Sequence, residues 1–258
     1  MILIKLGGSV ITNKSRYKVF SRHCVSRLCE EIKASGKDVI IVHGAGSFGH
    51  VVAKEFKLQN GYSEDPQIPA VAKVSHDMRT LNNMVMDELI DAGINAVSIP
   101  PGACFEMDDG ELVGDISILK GYLELGIMPV MFGDIVLDTN KRFGICSGDK
   151  IMETLASLFS PESVIFVSDI DGLYDKDPKT NKDAKLIETV DNDVLGRVTT
   201  DIIVDDVTGG VRAKMETMLR MSSQDRDCIL INGKVKNRLY DLLTGKKVIC
   251  TTAKGGIQ

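Results

Sequence analysis

Five stretches of this 258-residue chain are apolar with almost no polar alternation: residues 1–6, 39–42, 128–132, 164–167 and 228–231. A strand with one wet face alternates polar and apolar positions, so unbroken apolar runs predict strands covered on both faces of a parallel sheet. Shorter runs at 96–99 and 248–250 predict two more strands. Between them the apolar period changes to that of a helix. Val25, Leu28, Cys29 and Ile32 follow Ser21, an N-cap, and the pattern stops at Ser35-Gly36. A longer stretch, 70–92, carries Met78, Leu81, Met84, Val85, Met86, Leu89 and Ile90 and ends at Gly93. Further helices are expected at 116–125, from Ser147-Gly148-Asp149 to about Phe159, at 211–221 and at 235–243. Asp108-Asp109-Gly110 and residues 138–141 read as hairpin turns. Strands alternating with helices predict an α/β fold, a mainly parallel central sheet with helices on both faces. Residues 160–163 are the expected boundary between two lobes, 1–160 and 161–258, and residues 191–206 are too polar to assign.

The strand at 39–42 runs into the loop His43-Gly-Ala-Gly-Ser-Phe-Gly-His50. Its glycines allow a sharp turn and a close backbone approach. A helix starting near Ser47 would turn its free N–H groups toward the loop and make an anion site. Gly44, Gly46 and Gly49 also fit the dinucleotide spacing G-x-G-x-x-G, but a second strand ending in an acid is missing about 20 residues on. Residues 61–66 read as a loop instead. A tight turn without a ligand is the plain alternative. His43 is either a structural histidine at a strand end or a contact to the loop.

Composition narrows the partners. The net charge is −5, with 31 basic and 36 acidic residues and no basic run, which argues against nucleic acid. No apolar run is long enough to span a bilayer, and Met1–Lys5 lacks the basic region of a signal peptide, so a cytoplasmic protein is expected. Six scattered cysteines without a C-x-x-C pair read as small buried hydrophobes rather than metal ligands or disulfides.

Glycine turns recur at Gly7-Gly8, Gly44–Gly49, Ser147-Gly148 and Gly209-Gly210, with Lys5, Lys14 and Lys214 near them. Lys5 interrupts a core strand, which is costly unless it meets an anion. Arg16 and Lys18 read as a solvated basic loop. Asp149 lies at a helix start, where it can serve simply as a first-turn acid. In an open parallel sheet the carboxyl ends of the strands share one edge, so these turns can converge there. A line of amides and lysines suits two phosphorylated ligands meeting end to end. Phosphoryl transfer asks chiefly for positioning and positive charge. No Walker sequence occurs.

Taken together and in order, K-L-G-G-S at 5–9, the glycine loop at 44–49, S-G-D at 147–149, S-D-I-D-G at 168–172, and D-V-T-G-G at 206–210 with Lys214 resemble the amino acid kinase superfamily. Within it, H-G-A-G-S-F-G-H is similar to the isopentenyl phosphate kinases, whose mark is the histidine after S-F-G, here His50. The resemblance implies an α/β/α sandwich with an acceptor-binding lobe at 1–160 and a nucleotide-binding lobe at 161–258. It implies transfer of phosphate from ATP to isopentenyl phosphate, an alkenyl monophosphate, in an archaeal-type isoprenoid route. Lys5, Gly7, Gly8 and Ser9 then surround the ATP phosphates with Gly46, and Lys14 stabilises the group in flight. Ala45, His50 and Gly148 bind the acceptor, and Asp149 orients the lysines. Asp169, Tyr174, Gly209 and Lys214 are implied nucleotide contacts. Mg²⁺ would accompany ATP, held by phosphates and water with no protein ligand named, and a homodimer is implied. The methionine-rich helix at 70–92 is either core or part of an apolar tail pocket. Ala45 departs from the glycine of many relatives, so a conformation open only to glycine is doubtful there. Other readings are a kinase for uridylate or an amino acid, a regulatory module that binds nucleotide without turnover, and, on glycine spacing alone, a dinucleotide oxidoreductase.

Overall fold

The computed structural model describes residues 1–13, 15–176, 178, 180–197 and 210–256. Its first half runs β1 (Ile2–Leu6), α1 (Gly8–Ile11), α2 (Arg22–Ser35), β2 (Val39–His43), α3 (Gly46–Glu55), α4 (Gln67–Asp91), β3 (Ala96–Ser98), β4 (Phe105–Asp108), β5 (Glu111–Gly114), α5 (Ser117–Glu124) and β6 (Met128–Phe132). The second continues with β7 (Asp134–Asp138), β8 (Arg142–Cys146), α6 (Gly148–Phe159), β9 (Ser163–Ser168), β10 (Leu173–Tyr174), β11 (Leu186–Ile187), β12 (Thr189–Val190), α7 (Asn192–Arg197), α8 (Gly210–Met221), β13 (Asp227–Asn232), α9 (Arg238–Leu243) and β14 (Thr251–Ala253).

The main sheet has the order β12-β14-β13-β9-β1-β2-β6-β3. Every neighbouring pair in it is parallel except β13 with β14. The unbroken apolar runs do what their pattern demands. Ile2, Ile4 and Leu6 feed a core under α2, α3 and α4, while Leu3 feeds a second core under α5, α6 and α8. Ile41 and Ile40 split between the two cores in the same way. The sheet is therefore sandwiched between helical layers, as its sequence predicts. The hairpins β4–β5 and β7–β8 join into a separate four-stranded sheet.

The chain passes from β1 outward through β2 to β6, then returns to set β9 on the other side of β1. That reversal makes the boundary between β1 and β9 the switch point of the sheet, where ligands settle beyond the strand ends. Leu6 lies beside His43 and Val167 there, and Val167 beside Ile231, so the turns after β1, β2, β9 and β13 share one edge.

Residues 8–11 form a short helix directly after Gly7. Two local expectations are corrected. The last strand is Thr251–Ala253 rather than 248–250. Lys18, expected to be solvated, is ion-paired to Asp77, whereas Arg16 is exposed. All six cysteines are free, four buried and two half-buried, and burial lifts the Cys29 and Cys146 thiols to about 12. No helix among the described residues is long and apolar enough to cross a membrane.

Candidate active site

Lys5 is the last but one residue of β1, and its side chain leaves the strand at the switch point. Its ammonium lies 2.9 Å from Asp149 Oδ1, and the Lys214 ammonium reaches the same oxygen from α8 at 3.1 Å. Ser147 caps α6 by accepting from the Lys150 N–H at 3.1 Å, which sets Asp149 in the first turn. Asp149 is thus more than a first-turn acid. Burial would raise its pKa, but Lys5 and Lys214 outweigh burial and hold the carboxyl well below its usual range. Burial pulls Lys5 below the usual lysine value, with Asp149 opposing and Lys214 adding to the decrease.

Both ammoniums also lie over the Phe166 ring, Lys214 at 4.0 Å and Lys5 at 5.6 Å from its centre. Phe166 is the register partner of Lys5 on β9, so the two side chains leave the sheet on the same face. The electron-rich ring face steadies cations that have been partly stripped of water.

The glycine turns meet backbone to backbone. A Cβ on Gly8 would stand 2.6 Å from Gly46, and one on Gly148 would stand 3.1 Å from Lys5 Cε. Gly46 has φ +49°, and a Cβ there would collide with the Thr12 side chain at 2.2 Å. Ala45, by contrast, has φ −73° and ψ −26°, ordinary helical values. The conformation that needs glycine is at 46, so alanine at 45 is no obstacle. Thr12 ties the turns together: its hydroxyl donates to the Gly8 carbonyl at 2.7 Å and accepts from the Ser47 N–H at 3.0 Å. Gly7 N–H closes the β1 turn on the Val167 carbonyl at 2.8 Å, and Ser9 is half-buried in α1.

His50 stands on α3 with part of its surface open to solvent, and partial desolvation of the ring followed by the charge of Lys5 lowers its pKa. Its ring can donate an N–H toward a bound anion. His43 is fully buried and stacked on Phe132, with burial pushing it down to about 4. Its Nδ1 lies 3.1 Å from the Gly44 carbonyl oxygen and its Nε2 3.2 Å from Asn82 Oδ1, while the Asn82 Nδ2 donates to Ser98 Oγ at 2.6 Å. A neutral ring donates once, so its single N–H serves one of these two oxygens. His43 is a structural support of the loop.

Asp169 and Tyr174 follow β9 on the same sheet edge. Asp169 lies 3.8 Å from Lys234, and Tyr174 is half-buried in β10. Lys14 and Gly209 fall outside the described residues. Met78 is fully buried against Gly49, and Met84 and Met86 pack on the core from partly buried positions. Sequence reasoning passed over Thr12, Phe166 and Asp77. For Asp77 a signal existed: it sits three residues after Val74 and four before Leu81, on the apolar stripe of a helix.

The sequence profile described as the amino acid kinase family matches residues 1–232. The chain belongs to the amino acid kinase family. Among the similar members of that family is the isopentenyl phosphate kinase of Thermoplasma acidophilum, 37% identical over 94% of this chain and 96% of the relative. The isopentenyl phosphate kinase of Methanothermobacter thermautotrophicus is 35% identical over 99% of both chains. A solved isopentenyl phosphate kinase superposes with a TM-score of 0.85 at 32% identity, covering 98% of this chain and 99% of the other. The UMP kinase of Ureaplasma parvum superposes with a TM-score of 0.68 at 18% identity, which shows the shared amino acid kinase fold alone.

Proposed function

We propose that this enzyme transfers the γ-phosphoryl group of ATP to isopentenyl phosphate, giving ADP and isopentenyl diphosphate. The observation that carries the reading is the Lys5–Asp149–Lys214 cluster at the switch point, beside a glycine loop that ends in His50. A phosphate oxygen of the acceptor attacks the γ-phosphorus in line, and the bond from that phosphorus to the β,γ-bridging oxygen breaks. Negative charge shifts toward ADP as it does so. Lys5 and Lys214, braced by one carboxylate and one aromatic ring, offer fixed positive charge without reorganising during the reaction. His50 donates an N–H to the acceptor phosphate, joined by the amides of Ala45 and Gly46. Gly7, Gly8 and Ser9 cradle the ATP phosphates, Gly148 leaves room for the acceptor, and Lys14 stabilises the group in flight. Asp169, Tyr174 and Gly209 contact the nucleotide.

Mg²⁺ accompanies ATP on this reading and neutralises charge on its phosphates. Among the described residues no cluster of three or more His, Cys, Asp or Glu side chains could hold a metal, and Asp149 is already shared by two lysines. On this reading ATP oxygens and water carry the ion, as Mg²⁺ commonly keeps several waters beside phosphates. The same reading divides the chain into an acceptor lobe at 1–160 and a nucleotide lobe at 161–258, and makes the enzyme a cytoplasmic homodimer. Its solution mass tests the last point.

The test is ADP release with Mg-ATP and a panel of isopentenyl phosphate, dimethylallyl phosphate, uridine monophosphate, acetylglutamate and aspartate. Turnover of alkenyl phosphates alone, reduced about 10²-fold or more in His50→Ala, is expected from loss of a charge-stabilising donor. Turnover of another acceptor, indifferent to His50, refutes the assignment.

A further inference from the structure

Asp77 is a carboxylate with no exposed surface, on the inner face of α4. Four side chains close over it. The Tyr17 hydroxyl donates at 2.9 Å, the Lys73 ammonium at 2.5 and 2.7 Å, and the Lys18 ammonium directly to Oδ1; His76 Nδ1 lies 3.2 Å away. Burial would raise the Asp77 pKa, but these partners, Lys18 first, hold it well below the usual range.

Tyr17 and Lys18 lie in the loop between Thr12 and Phe20, in which Lys14 falls by sequence. The base of that loop is closed by the Thr12–Phe20 bridge and by the Asn13 N–H on the Val19 carbonyl at 2.9 Å. Thr12 fastens the base to both glycine turns through Gly8 and Ser47. Among the described residues between base and Asp77, Asn13, Ser15, Arg16 and Tyr17 are exposed, and Asn13 accepts only from its loop neighbours, the Ser15 N–H at 2.9 Å and the Arg16 N–H at 3.4 Å. A loop that buries so little apolar surface opens easily unless polar contacts pin it. Lys18, which makes the ion pair, also holds φ +55°, a left-handed conformation uncommon for a lysine.

We propose that Asp77 is a positioning residue for phosphoryl transfer: it pins the 12–20 loop to α4 and so fixes the lysine-bearing loop relative to the acceptor side of the site. This rests on the reading of Lys14 as the residue that stabilises the group in flight. Asp77 touches neither substrate. It acts through the loop, and its removal lowers kcat rather than affinity.

The experiment is a double-mutant cycle with steady-state kinetics and Tm for the native enzyme, Asp77→Asn, Lys14→Ala and the pair. Asparagine keeps the shape and removes the charge that holds two lysines. Asp77→Asn is expected to lower kcat about tenfold or more, because small misplacements of a catalytic group are costly. KM for ATP and for isopentenyl phosphate stays within about twofold. In the Lys14→Ala background Asp77→Asn then costs nothing further, since the two act as one unit. Equal losses in both backgrounds, an unchanged kcat, or a raised KM at constant kcat overturns the proposal. An active Lys14→Ala enzyme refutes the Lys14 reading instead. Should Asp77→Asn not fold, Tyr17→Phe with Lys18→Gln removes the loop's half of the clasp while Asp77 keeps Lys73. The same kcat loss is expected, and native kcat overturns the proposal.

Discussion

Asp149 and Asp77 are each gripped by two lysines, Lys5 and Lys214 in one case, Lys18 and Lys73 in the other. The two arrangements are inverted. At the first, the acid is the exposed member, with 42% of its side chain accessible against 12% for Lys5. At the second, the acid is sealed and Lys73 is 48% accessible. Each trio carries one surplus positive charge. Where the lysines lie inside, that surplus is poorly hydrated and open to an arriving anion. Lys214 and Lys18 are alike in exposure, at 29% and 28%, so the contrast lies in Lys5, Lys73 and the two acids: where the acid lies inside, the surplus faces solvent through Lys73 and the buried carboxylate serves as an anchor. The same three charges make a ligand site or a clasp according to which member is desolvated.

The largest effect should come from Asp149→Asn. Loss of its charge leaves Lys5 and Lys214 repelling each other over one ring, and kcat should fall about 10²–10³-fold, as when a preorganised charge-stabilising group is removed. Its Tm should move less than that of Asp77→Asn, since the Asp149 carboxylate is partly solvated. Equal Tm losses would break the contrast between site and clasp.

A smaller effect concerns His43, whose partner Asn82 shares α4 with Asp77. Its pKa falls from an ordinary 6.5 to about 4 on folding, mainly by burial. Between those values the unfolded chain binds a proton that the folded one refuses, so stability rises with pH across that window and is lost as pH falls through it. The shift corresponds to about 3 kcal/mol, at about 1.4 kcal/mol per pKa unit. Unfolding of native enzyme and His43→Asn between pH 4 and pH 7 checks this. The variant should be less stable at pH 7 and show a flatter slope. Parallel slopes would show that another group titrates there.

The smallest expected effect is at Phe166. Leucine keeps most of the volume and removes the ring beneath both ammoniums, so Phe166→Leu should lower kcat about two- to tenfold, the size of a cation–π contact. A tyrosine or tryptophan that fits should recover part of it. An unchanged kcat in Phe166→Leu would show that Asp149 alone braces the lysines.

The five central strands were legible because apolar runs without alternation have few other places to go, and the glycine turns announced which ends would carry chemistry. The last strand was not. The run Val248-Ile249-Cys250 looks more apolar than Thr251-Thr252-Ala253, yet Ile249 is 55% exposed and Thr251 is fully buried. Thr251 belongs inside because its hydroxyl donates to the Ile187 carbonyl at 2.6 Å and accepts from the Leu173 N–H at 2.8 Å, partners distant in the chain. Lys18 misled for a similar reason. A lysine in a polar loop looks solvated until the acid 59 residues away is known to be buried beneath it. The resemblance implied that Asp149 orients lysines, but that Lys5 and Lys214 share its Oδ1 follows from the placement of β1, α6 and α8 around one sheet edge.

The position of β1 between β2 and β9 has a consequence for synthesis. β2 is made soon after β1, but the strand that covers its other edge begins only at Ser163. At ribosomal rates of roughly 5–20 residues per second, that edge waits on the order of ten seconds or more for its partner. An apolar strand with a bare edge is a template for pairing with other chains. The strand that supplies Lys5 to the site is therefore also the part of the nascent protein most in need of a chaperone's cover.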